Sequence, residues 1–442
     1  MADLADPIVT DAVLQEETTA VLQRLIRFDT VNPPGNEGDA IAYLHDYLAG
    51  AGFRCEVLAR EEDRPNLVAT LEADEDGPVL GYLGHVDTVL ATPSEWRHDP
   101  WPGDVVDGFL WGRGALDMKS QVAAEVVAAA ALARSGWRPT RGALRVMCVA
   151  DEEAGGAYGA KFLTEEHPDL VRCDLLINEG GGEVIEYGDR RLYGVCCAEK
   201  GVFRFWLITD GAAGHASIPR MGDNALVKLA PLLQRLGERQ PGFDVSPEAV
   251  ALLRGLEGDG DDPTAALARV AEADPFLALL VEPMLGVTVT PTRASASEKI
   301  NVIPSQARLG VDCRVPPGMG ERDARGRVEE LLGPPDGYRL EFAETVEGNR
   351  SPMESELMDH ISSWVAVHDP GAEVVPTMLP GFTDSRWFRA AFPGCTAYGF
   401  FPQRHMTLHE ASPLIHGADE RIDVRDLGFA ARFFADLAER VL

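Results

Sequence analysis

Asp117 stands where its side chain would be free to bind a metal ion. It ends a glycine-rich stretch, residues 107–117, and residues 122–134 beyond it are almost all Ala, Val, Leu and Glu. The glycines disfavour regular structure, whereas the second run is typical of a buried helix. Asp117 is therefore predicted to lie in a loop shortly before a helix. There it could be a turn or N-cap residue, or a metal ligand.

Three predicted strands end in side chains that can also bind metals. The strands, residues 78–83, 144–150 and 174–178, are largely apolar, which is typical of a sheet covered on both faces. Ligands of open α/β sheets bind beyond the carboxyl ends of the strands. We therefore expect Asp117 to meet the side chains that follow these strands, which are His85, Asp87, Glu152, Glu153 and Glu179.

The types of these side chains suit two divalent cations. Asp87 lies two residues after His85 and could orient its imidazole for metal binding. Of the adjacent Glu152 and Glu153, one could bind metal while the other acts as a base. Taken alone, each pattern also fits a surface pair or an acidic turn. Three carboxylates and a hydroxide would balance two divalent ions, and mixed imidazole and carboxylate ligands favour Zn²⁺, with Co²⁺ or Mn²⁺ as substitutes.

The elements around these residues predict an α/β fold with an insertion. Strands and helices alternate over residues 1–198 and again over 346–442, which predicts one catalytic domain with a mixed, mainly parallel sheet. Residues 199–345 follow the strand, helix, strand, strand, helix, strand order of a ferredoxin-like α+β unit. Residues 239–283 exceed this plan and are predicted to add helix and loop, with a surface excursion at 258–263.

Composition excludes several classes of partner. The chain has 442 residues, a formal net charge of −31, and no apolar run of the ~20 residues that a membrane span requires. This charge argues against binding to nucleic acid or to an anionic membrane surface. The seven cysteines form no C-x-x-C pair, and the acidic residues 1–19 lack the pattern of an export signal. We therefore expect a cytoplasmic protein with free thiols.

Seven short segments are specific when taken together. They are PNL (65–67), GHVD (84–87), GRGALD (112–117), DEE (151–153), NEG (178–180), GHASIP (214–219) and HGADE (416–420). In this order they resemble the motifs of the co-catalytic zinc hydrolase family that includes aminoacylase, acetylornithine deacetylase, succinyl-diaminopimelate desuccinylase and glutamate-releasing carboxypeptidase. The resemblance covers about residues 20–425.

The resemblance implies a role for each side chain near the strand ends. Glu152 would be the general base, Asp87 would orient His85, and the peptide bond between Asp117 and Met118 would be cis. The metal ligands would be His85 and Glu179 for one zinc ion, Glu153 and His416 for the other, and Asp117 bridging both.

Two other histidines compete with His416. His405 and His409 lie in residues 401–413, a segment that contains two prolines and is predicted to form a loop, so helical ligand spacing is not expected there. His416 is preferred because it falls in a family motif and completes the mixed ligand set.

The resemblance also implies a homodimer formed through the inserted domain. His215 would reach the active site of the other subunit and donate a hydrogen bond to the oxyanion, although a loop histidine at a domain edge is the alternative. Arg314 and Asn301 match positions that hold the free carboxylate of the substrate, but Arg314 could equally form an interdomain salt bridge.

Three further positions match the substrate side of the family. They are Lys200, Gly381 and Thr383. Phe382 stands where the family often has a second glycine, so the shape of the pocket differs there.

The expected activity is hydrolysis of an amide bond in a small substrate that carries a free carboxylate, by a hydroxide between two zinc ions. N-acyl amino acids, dipeptides, and N-succinyl or N-acetyl diamino acids are all compatible. The alternatives are a metal-free binding or dimerisation relative and an aminopeptidase of related architecture. The Glu152–Glu153 pair argues against the first and Arg314 against the second. A nucleotide site at residues 180–182 is disfavoured because no G-x-G-x-x-G or Walker pattern accompanies the glycines.

Overall fold

A computed structural model describes residues 9–258 and 260–442. Residues 1–8 of the predicted acidic N-terminal stretch, and Asp259 within the predicted excursion at 258–263, lie outside the described residues. The chain divides into two compact units. The first comprises the described residues up to Cys197 with residues 351–377 and 383–442, and the second comprises residues 198–350 and 378–382.

The chain up to residue 199 alternates helices and strands. Its helices are α1 (Asp11–Ile26), α2 (Gly38–Gly50), α3 (Lys119–Arg134), α4 (Ala160–Glu166) and α5 (Pro168–Val171). Its strands are β1 (Arg54–Ala59), β2 (Pro65–Glu72), β3 (Val79–His85), β4 (Val105–Val106), β5 (Phe109–Trp111), β6 (Ala143–Val149), β7 (Leu175–Asn178), β8 (Glu183–Tyr187) and β9 (Arg190–Glu199).

The middle of the chain, to residue 350, has the following elements. Its strands are β10 (Gly201–Val202), β11 (Phe205–Asp210), β12 (Gly214–His215), β13 (Thr288–Ser295), β14 (Val302–Ile303), β15 (Gln306–Val315), β16 (Arg339–Phe342) and β17 (Asn349–Arg350). Its helices are α6 (Ala225–Glu238), α7 (Pro247–Glu257), α8 (Pro263–Ala273), α9 (Pro275–Val281) and α10 (Glu321–Leu332).

The remainder of the chain returns to the alternation of its beginning. Its helices are α11 (Glu356–His368), α12 (Ser385–Ala391), α13 (Leu408–Ala411) and α14 (Val424–Val441). Its strands are β18 (Glu373–Leu379), β19 (Thr396–Gly399), β20 (Gln403–Thr407) and β21 (Arg421–Asp423).

The first unit is built on a mixed sheet in the order β1-β2-β6-β3-β7-β19-β9-β8-β20. The neighbours β6, β3, β7 and β19 run parallel, whereas β1, β2 and β9 run antiparallel to their neighbours. Since parallel strands end at the same edge, the carboxyl ends of β3, β6 and β7 lie together. This agrees with the expected fold class, a mixed α/β sheet with a parallel centre.

Helices cover both faces of this sheet. Along β6, Val146 packs in a cluster with residues of α1, α3 and α14, whereas its neighbour Met147 packs in a second cluster with residues of α4 and α12. Successive side chains of a strand point to opposite faces. Both faces of β6 are therefore buried, which explains its unbroken apolar sequence.

The second unit has the predicted ferredoxin-like order. Its antiparallel sheet runs β16-β11-β15-β13. The short strand β10 pairs with the end of β15, on the same side of β15 as β11. Buried residues alternate along β15, and α6 and α10 contribute to the same cluster. A period of two is expected for a sheet covered by helices on one face.

The additional segment at residues 239–283 is mainly helical, as expected. Helices α7, α8 and α9 each begin with a proline that follows a polar N-cap residue. The side chains of Ser246, Asp262 and Asp274 accept hydrogen bonds from backbone N–H groups of the first turn. This pairing of a polar N-cap with proline at the first helical position is a strong local start signal.

The prediction of a loop at residues 401–413 is wrong. This segment forms β20 and the short helix α13, and its prolines, Pro402 and Pro413, stand outside both elements. The carboxylate of Asp426 accepts the backbone N–H groups of three successive residues, Arg404, His405 and Met406. Such a contact from α14 cannot be seen in the local sequence.

All seven cysteines are free thiols, as the sequence analysis expected. Among the described helices, none combines the length and the apolar character that crossing a membrane would require.

Candidate metal centre

His85 is fixed at the end of β3 and is almost completely buried. Its Nδ1 lies 3.0 Å from the backbone carbonyl oxygen of Asp87 and 3.5 Å from the nearer carboxylate oxygen of that residue. Its Nε2 lies 3.1 Å from Asp117 Oδ1 and 3.7 Å from Glu179 Oε1. With Nδ1–H donating to the carbonyl, the lone pair of Nε2 faces these carboxylates, which is the orientation of a metal-binding histidine.

Asp117 stands between two histidines. Its Oδ1 faces His85, and its Oδ2 lies 2.9 Å from Nε2 of His416. The same Nε2 is 3.3 Å from Glu153 Oε2. The peptide bond between Asp117 and Met118 is cis, as the family resemblance implied.

Two groups of side chains could each hold a cation, and they share Asp117. One group is His85, Asp117 and Glu179, and the other is Asp117, Glu153 and His416; within each group the ligand atoms lie within 4.8 Å of one another. His405 and His409 belong to neither group. The structure thus brings together the five side chains that the sequence predicted as ligands.

The geometry of these groups fits divalent metal ions. A tetrahedral zinc site with metal–ligand distances of about 2.0–2.1 Å has its ligand atoms about 3.3 Å apart. The four contacts of the histidine Nε2 atoms with Asp117, Glu153 and Glu179 span 2.9–3.7 Å. Glu153 Oε1 is buried and has no hydrogen-bond partner among the described residues. A buried carboxylate oxygen normally has a partner, and a cation would supply one.

The pKa values in the cluster show its negative potential. Burial raises the pKa of Glu179 to about 7, and the charge of Asp117 adds to this effect. Burial would also raise the pKa of Asp117, but hydrogen bonds from His416 and His85 outweigh it and keep that pKa below its usual value. The hydrogen bonds that His416 makes with Asp117 and Glu153 raise the pKa of His416 to about 10. The carboxylates therefore draw positive charge to this place.

Glu152 lies beside the two groups without belonging to either. It follows β6 in a 3₁₀ turn, Glu152–Ala154, and its Oε2 is 4.0 Å from His85 Nε2. Its carboxylate is largely buried, and burial, together with the nearby charge of Glu179, raises its pKa well above the usual value. The two adjacent glutamates thus take different positions, as the sequence analysis expected.

Asp87 connects His85 to the Glu152–Glu153 turn. Its carboxylate accepts the backbone N–H groups of Glu152 and Glu153, both at 3.2 Å, and the side-chain amide of Asn32 at 2.9 Å. The carbonyl oxygen of Asp87 makes the shorter contact to the His85 imidazole, and the carboxylate makes a longer one while it also holds the turn. The sequence analysis expected the contact with His85 but not the contacts with the turn.

His215 and Asn301 lie next to each other in the second unit. The backbone N–H of Ala216 donates to the carbonyl of Asn301, beside the pairing of β12 with β14. The imidazole of His215 is exposed, and its Nδ1 lies 3.2 Å from the backbone nitrogen of Ser217, which donates to it. The proton of a neutral His215 is therefore on Nε2.

Lys200 and Arg314 both have partners within the second unit. Lys200 is buried, and its Nζ donates to the carbonyl of Pro283 and to Thr288 Oγ1; burial lowers its pKa to about 7. Arg314 donates from Nε and Nη2 to Asp312, in the same strand. This ion pair lies within one unit, unlike the interdomain salt bridge considered from the sequence.

The two remaining predicted substrate positions follow β18. Gly381 is partly buried, and the ring of its neighbour Phe382 lies 5.8 Å from the guanidinium carbon of Arg314. Thr383 belongs to the first unit, where its Oγ1 accepts a hydrogen bond from Asn178, the residue before Glu179.

Three charged residues near the cluster were not recognised from the sequence. Asp384 is buried, its Oδ2 has no hydrogen-bond partner among the described residues, and burial raises its pKa well above the usual value. Arg113 and Glu420 form a buried ion pair. All three lie in or beside recognised motifs, but a motif does not reveal which of its charges are buried.

We expect each predicted ligand to affect cation binding in a distinct way, because Asp117 alone belongs to both groups. The unsubstituted protein should bind two Zn²⁺ per chain. His416→Ala should abolish one site, His85→Ala should abolish the other, and Asp117→Ala should weaken both. Isothermal titration and elemental analysis of the freshly purified variants would measure this. Equal stoichiometry in the unsubstituted protein and His416→Ala would contradict the assignment.

Comparison with known proteins identifies the family. The sequence model of peptidase family M20/M25/M40 matches residues 81–440. Succinyl-diaminopimelate desuccinylase 2 of Ruegeria sp. strain TM1040 is 34% identical over 240 residues, which are 54% of this chain and 58% of that protein. The chain spans little more than half of the length of several of these curated relatives.

Longer matches have lower identity. Succinyl-diaminopimelate desuccinylase of Methylobacterium sp. strain 4-46 is 28% identical over 436 residues, covering 94% of this chain and 93% of that protein. The M20 family metallo-carboxypeptidase Sso-CP2 of Sulfolobus solfataricus shares the fold, with a TM-score of 0.73 at 16% identity, over 96% of this chain and 98% of that one. Since the family model matches most of the chain, this protein belongs to peptidase family M20/M25/M40.

Proposed function

We propose that this protein hydrolyses an amide bond in a small substrate that carries a free carboxylate, with two divalent cations and with Glu152 as general base. The observation that carries the proposal is the pair of ligand groups that share Asp117, with Glu152 beside them. The desuccinylases among the relatives support an N-acyl substrate, and the metallo-carboxypeptidase supports a peptide.

One cation would be held by His85 and Glu179, and the other by Glu153 and His416. Asp117 would contribute to both sites. The mixture of imidazole and carboxylate ligands favours Zn²⁺, with Co²⁺ or Mn²⁺ as substitutes. Bound there, the cations would supply Lewis acidity that polarises the substrate carbonyl and makes a water nucleophilic near neutral pH.

Glu152 would move the proton. It takes a proton from the attacking water as the water oxygen bonds to the carbonyl carbon, and it returns that proton to the nitrogen as the carbon–nitrogen bond breaks. The products are a carboxylate and an amine. Glu152 must be ionised before the first step and protonated between the two steps. Burial alone favours its protonated form, and the positive charge of the bound cations would offset that effect.

His215 would stabilise the oxyanion. The contact from Ser217 leaves the proton of its neutral imidazole on Nε2, so that this nitrogen can donate a hydrogen bond. Its place in the second unit supports the further proposal that residues 199–345 form a dimerisation domain, through which His215 of one subunit serves the catalytic domain, residues 1–198 and 346–442, of the other.

The substrate carboxylate would bind on the second unit. Asp312 occupies the Nε and Nη2 edge of the Arg314 guanidinium, so a substrate carboxylate would meet the edge formed by Nη1 and Nη2. Asn301, Lys200, Gly381 and Thr383 are the other proposed contacts. A reducing compartment such as the cytoplasm is consistent with the seven free thiols.

A substrate panel tests the proposed reaction. The Zn²⁺- and Co²⁺-loaded protein should hydrolyse at least one N-succinyl or N-acetyl amino acid or dipeptide, and amidation of the substrate carboxylate should lower kcat/KM by at least tenfold. Release of the free amine would be measured. Hydrolysis that requires a free amine and tolerates an amidated carboxylate would instead indicate an aminopeptidase. If the protein binds no metal and hydrolyses nothing, it is a binding relative.

Glu152→Gln should lower kcat by about 10²–10⁴-fold, because the amide cannot accept the proton of the attacking water. Bound zinc should remain at the level of the unsubstituted protein, since Glu152 lies outside both ligand groups. The exposed Glu165 provides the control, and Glu165→Gln should leave kcat unchanged. A Glu152→Gln enzyme with full turnover would exclude the role of general base.

His215→Ala should lower kcat by about 10²–10³-fold, the usual effect of removing an oxyanion donor. Zinc content should not change, because His215 is not a ligand in either group. His45→Ala, at a partly exposed histidine that contacts Asp46, is the control and should retain full activity. Unchanged turnover of His215→Ala would show that another group stabilises the oxyanion.

A further inference from the structure

Arg113 and Glu420 form an ion pair that is almost completely buried. The two side chains are 3% and 0% exposed, and Arg113 Nη1 lies 2.5 Å from Glu420 Oε2. Separating two such charges inside a protein is costly, so the pair fixes the positions of both residues. Neither residue is among the proposed ligands or proton carriers.

Glu420 holds the loop that carries Asp117. Its Oε1 accepts the backbone N–H groups of Leu116, at 2.7 Å, and of Asp117 itself, at 3.0 Å. Its Oε2 accepts the N–H of Gly114 at 3.1 Å. One carboxylate therefore determines the path of the main chain into the ligand that both cation groups share.

Arg113 holds the loop that carries His416. Its Nη2 donates to the carbonyl oxygens of His416, at 3.3 Å, and of Gly417, at 3.0 Å. His416 has a left-handed backbone conformation, with φ of 60°, which requires support because a residue with a Cβ rarely adopts it. The contacts of Arg113 supply that support on the carbonyl side.

The backbone joins the two loops as well. The N–H of Gly112 donates to the carbonyl of Glu420, and β5 pairs with β21 directly beyond this bond. The ion pair lies at the end of this pairing, where the two chains separate to present Asp117 and His416. The distance of 2.9 Å between Asp117 Oδ2 and His416 Nε2 therefore depends on the ion pair.

We propose that the Arg113–Glu420 ion pair positions Asp117 and His416 and thereby sets the affinity of the group Asp117, Glu153 and His416 for its cation. This inference rests on the proposed function, since it assumes that these side chains bind metal. Arg113 and Glu420 act through the main chain of the ligands and touch neither cation nor substrate.

Two substitutions test the proposal with little change in volume. Glu420→Gln keeps the shape of the side chain but replaces one acceptor oxygen with an NH₂ group, which faces either backbone N–H groups or the guanidinium. Arg113→Lys keeps the charge but loses the planar fork that contacts Glu420 and the His416 loop together. If Glu420→Gln does not fold, Arg113→Lys decides the question.

Asp426→Asn is a matched control. Asp426 is also a buried carboxylate in the first unit that accepts three backbone N–H groups, but these belong to β20, which carries none of the proposed ligands. Its substitution should perturb folding in the same way as Glu420→Gln without acting on the cation groups.

Zn²⁺ affinity, measured by competition with a chromophoric chelator, is the first readout, and the absorption spectrum of the Co²⁺-loaded protein is the second. We expect Glu420→Gln and Arg113→Lys to weaken the Zn²⁺ site of Asp117, Glu153 and His416 by about 10–100-fold and to shift the Co²⁺ bands. The effect on the other site, which shares only Asp117, should be smaller. Asp426→Asn should match the unsubstituted protein in both readouts, even if its melting temperature falls.

Three other outcomes would each overturn a claim. If both variants bind two Zn²⁺ as tightly as the unsubstituted protein and give the same Co²⁺ spectrum, the ion pair has only a structural role. The same conclusion follows if Asp426→Asn weakens binding equally. If the unsubstituted protein binds no pair of cations, the proposed function itself fails.

Discussion

The centre depends on holding several carboxylates close together where water cannot screen them. Asp117, Glu153 and Glu179 lie around two histidines, with Glu152 beside them. Like charges at such distances repel, and burial strengthens the repulsion. Burial and this repulsion together raise the pKa values of the three glutamates. A divalent cation on each side of Asp117 would remove most of the repulsion, so the property that makes the cluster costly also favours the binding of cations.

The main chain around the cluster is fixed by other carboxylates. Asp87 accepts the backbone N–H groups of Glu152 and Glu153. Glu420 accepts the backbone N–H groups of Gly114, Leu116 and Asp117. Hydrogen bonds from backbone N–H groups to a carboxylate are strong and directional. The ligands are therefore positioned by residues outside the ligand groups, and a ligand that is held in advance loses less conformational entropy when it binds a cation.

The sequence predicted this arrangement where residues that can bind metal directly follow predicted strands. Apolar strands that end in histidine or carboxylate residues predicted that the ends of β3, β6 and β7 would meet, because parallel strands end at a common edge. The ferredoxin-like unit could be predicted from the order of its elements. In both cases the signal is local: each strand or helix carries its own periodicity, and the order along the chain fixes the topology.

Contacts between distant parts of the chain could not be predicted in this way. The segment that forms β20 was predicted to be a loop because it contains two prolines. Its contacts with Asp426, about twenty residues later, are not visible in the local sequence. Recognised motifs contain or adjoin three further charged residues, Asp384, Arg113 and Glu420. The burial and the partners of these residues depend on the complete fold. For Asp87, the sequence suggested a contact with His85 but could not show that the carbonyl makes the shorter one.

The same distinction explains why the reaction class is easier to infer than the substrate. Glu153 Oε1 in the cluster is a buried acceptor without a partner among the described residues, and a cation there would supply one. Arg314 and Lys200, by contrast, already have partners, Asp312 for the first and Pro283 and Thr288 for the second. A substrate carboxylate on Arg314, as proposed, would use the edge formed by Nη1 and Nη2 beside Asp312, whose negative charge would lower its affinity. Small changes in shape nearby, such as Phe382 in place of a glycine, can alter that affinity, and substrate choice is therefore not fixed by the residue types alone.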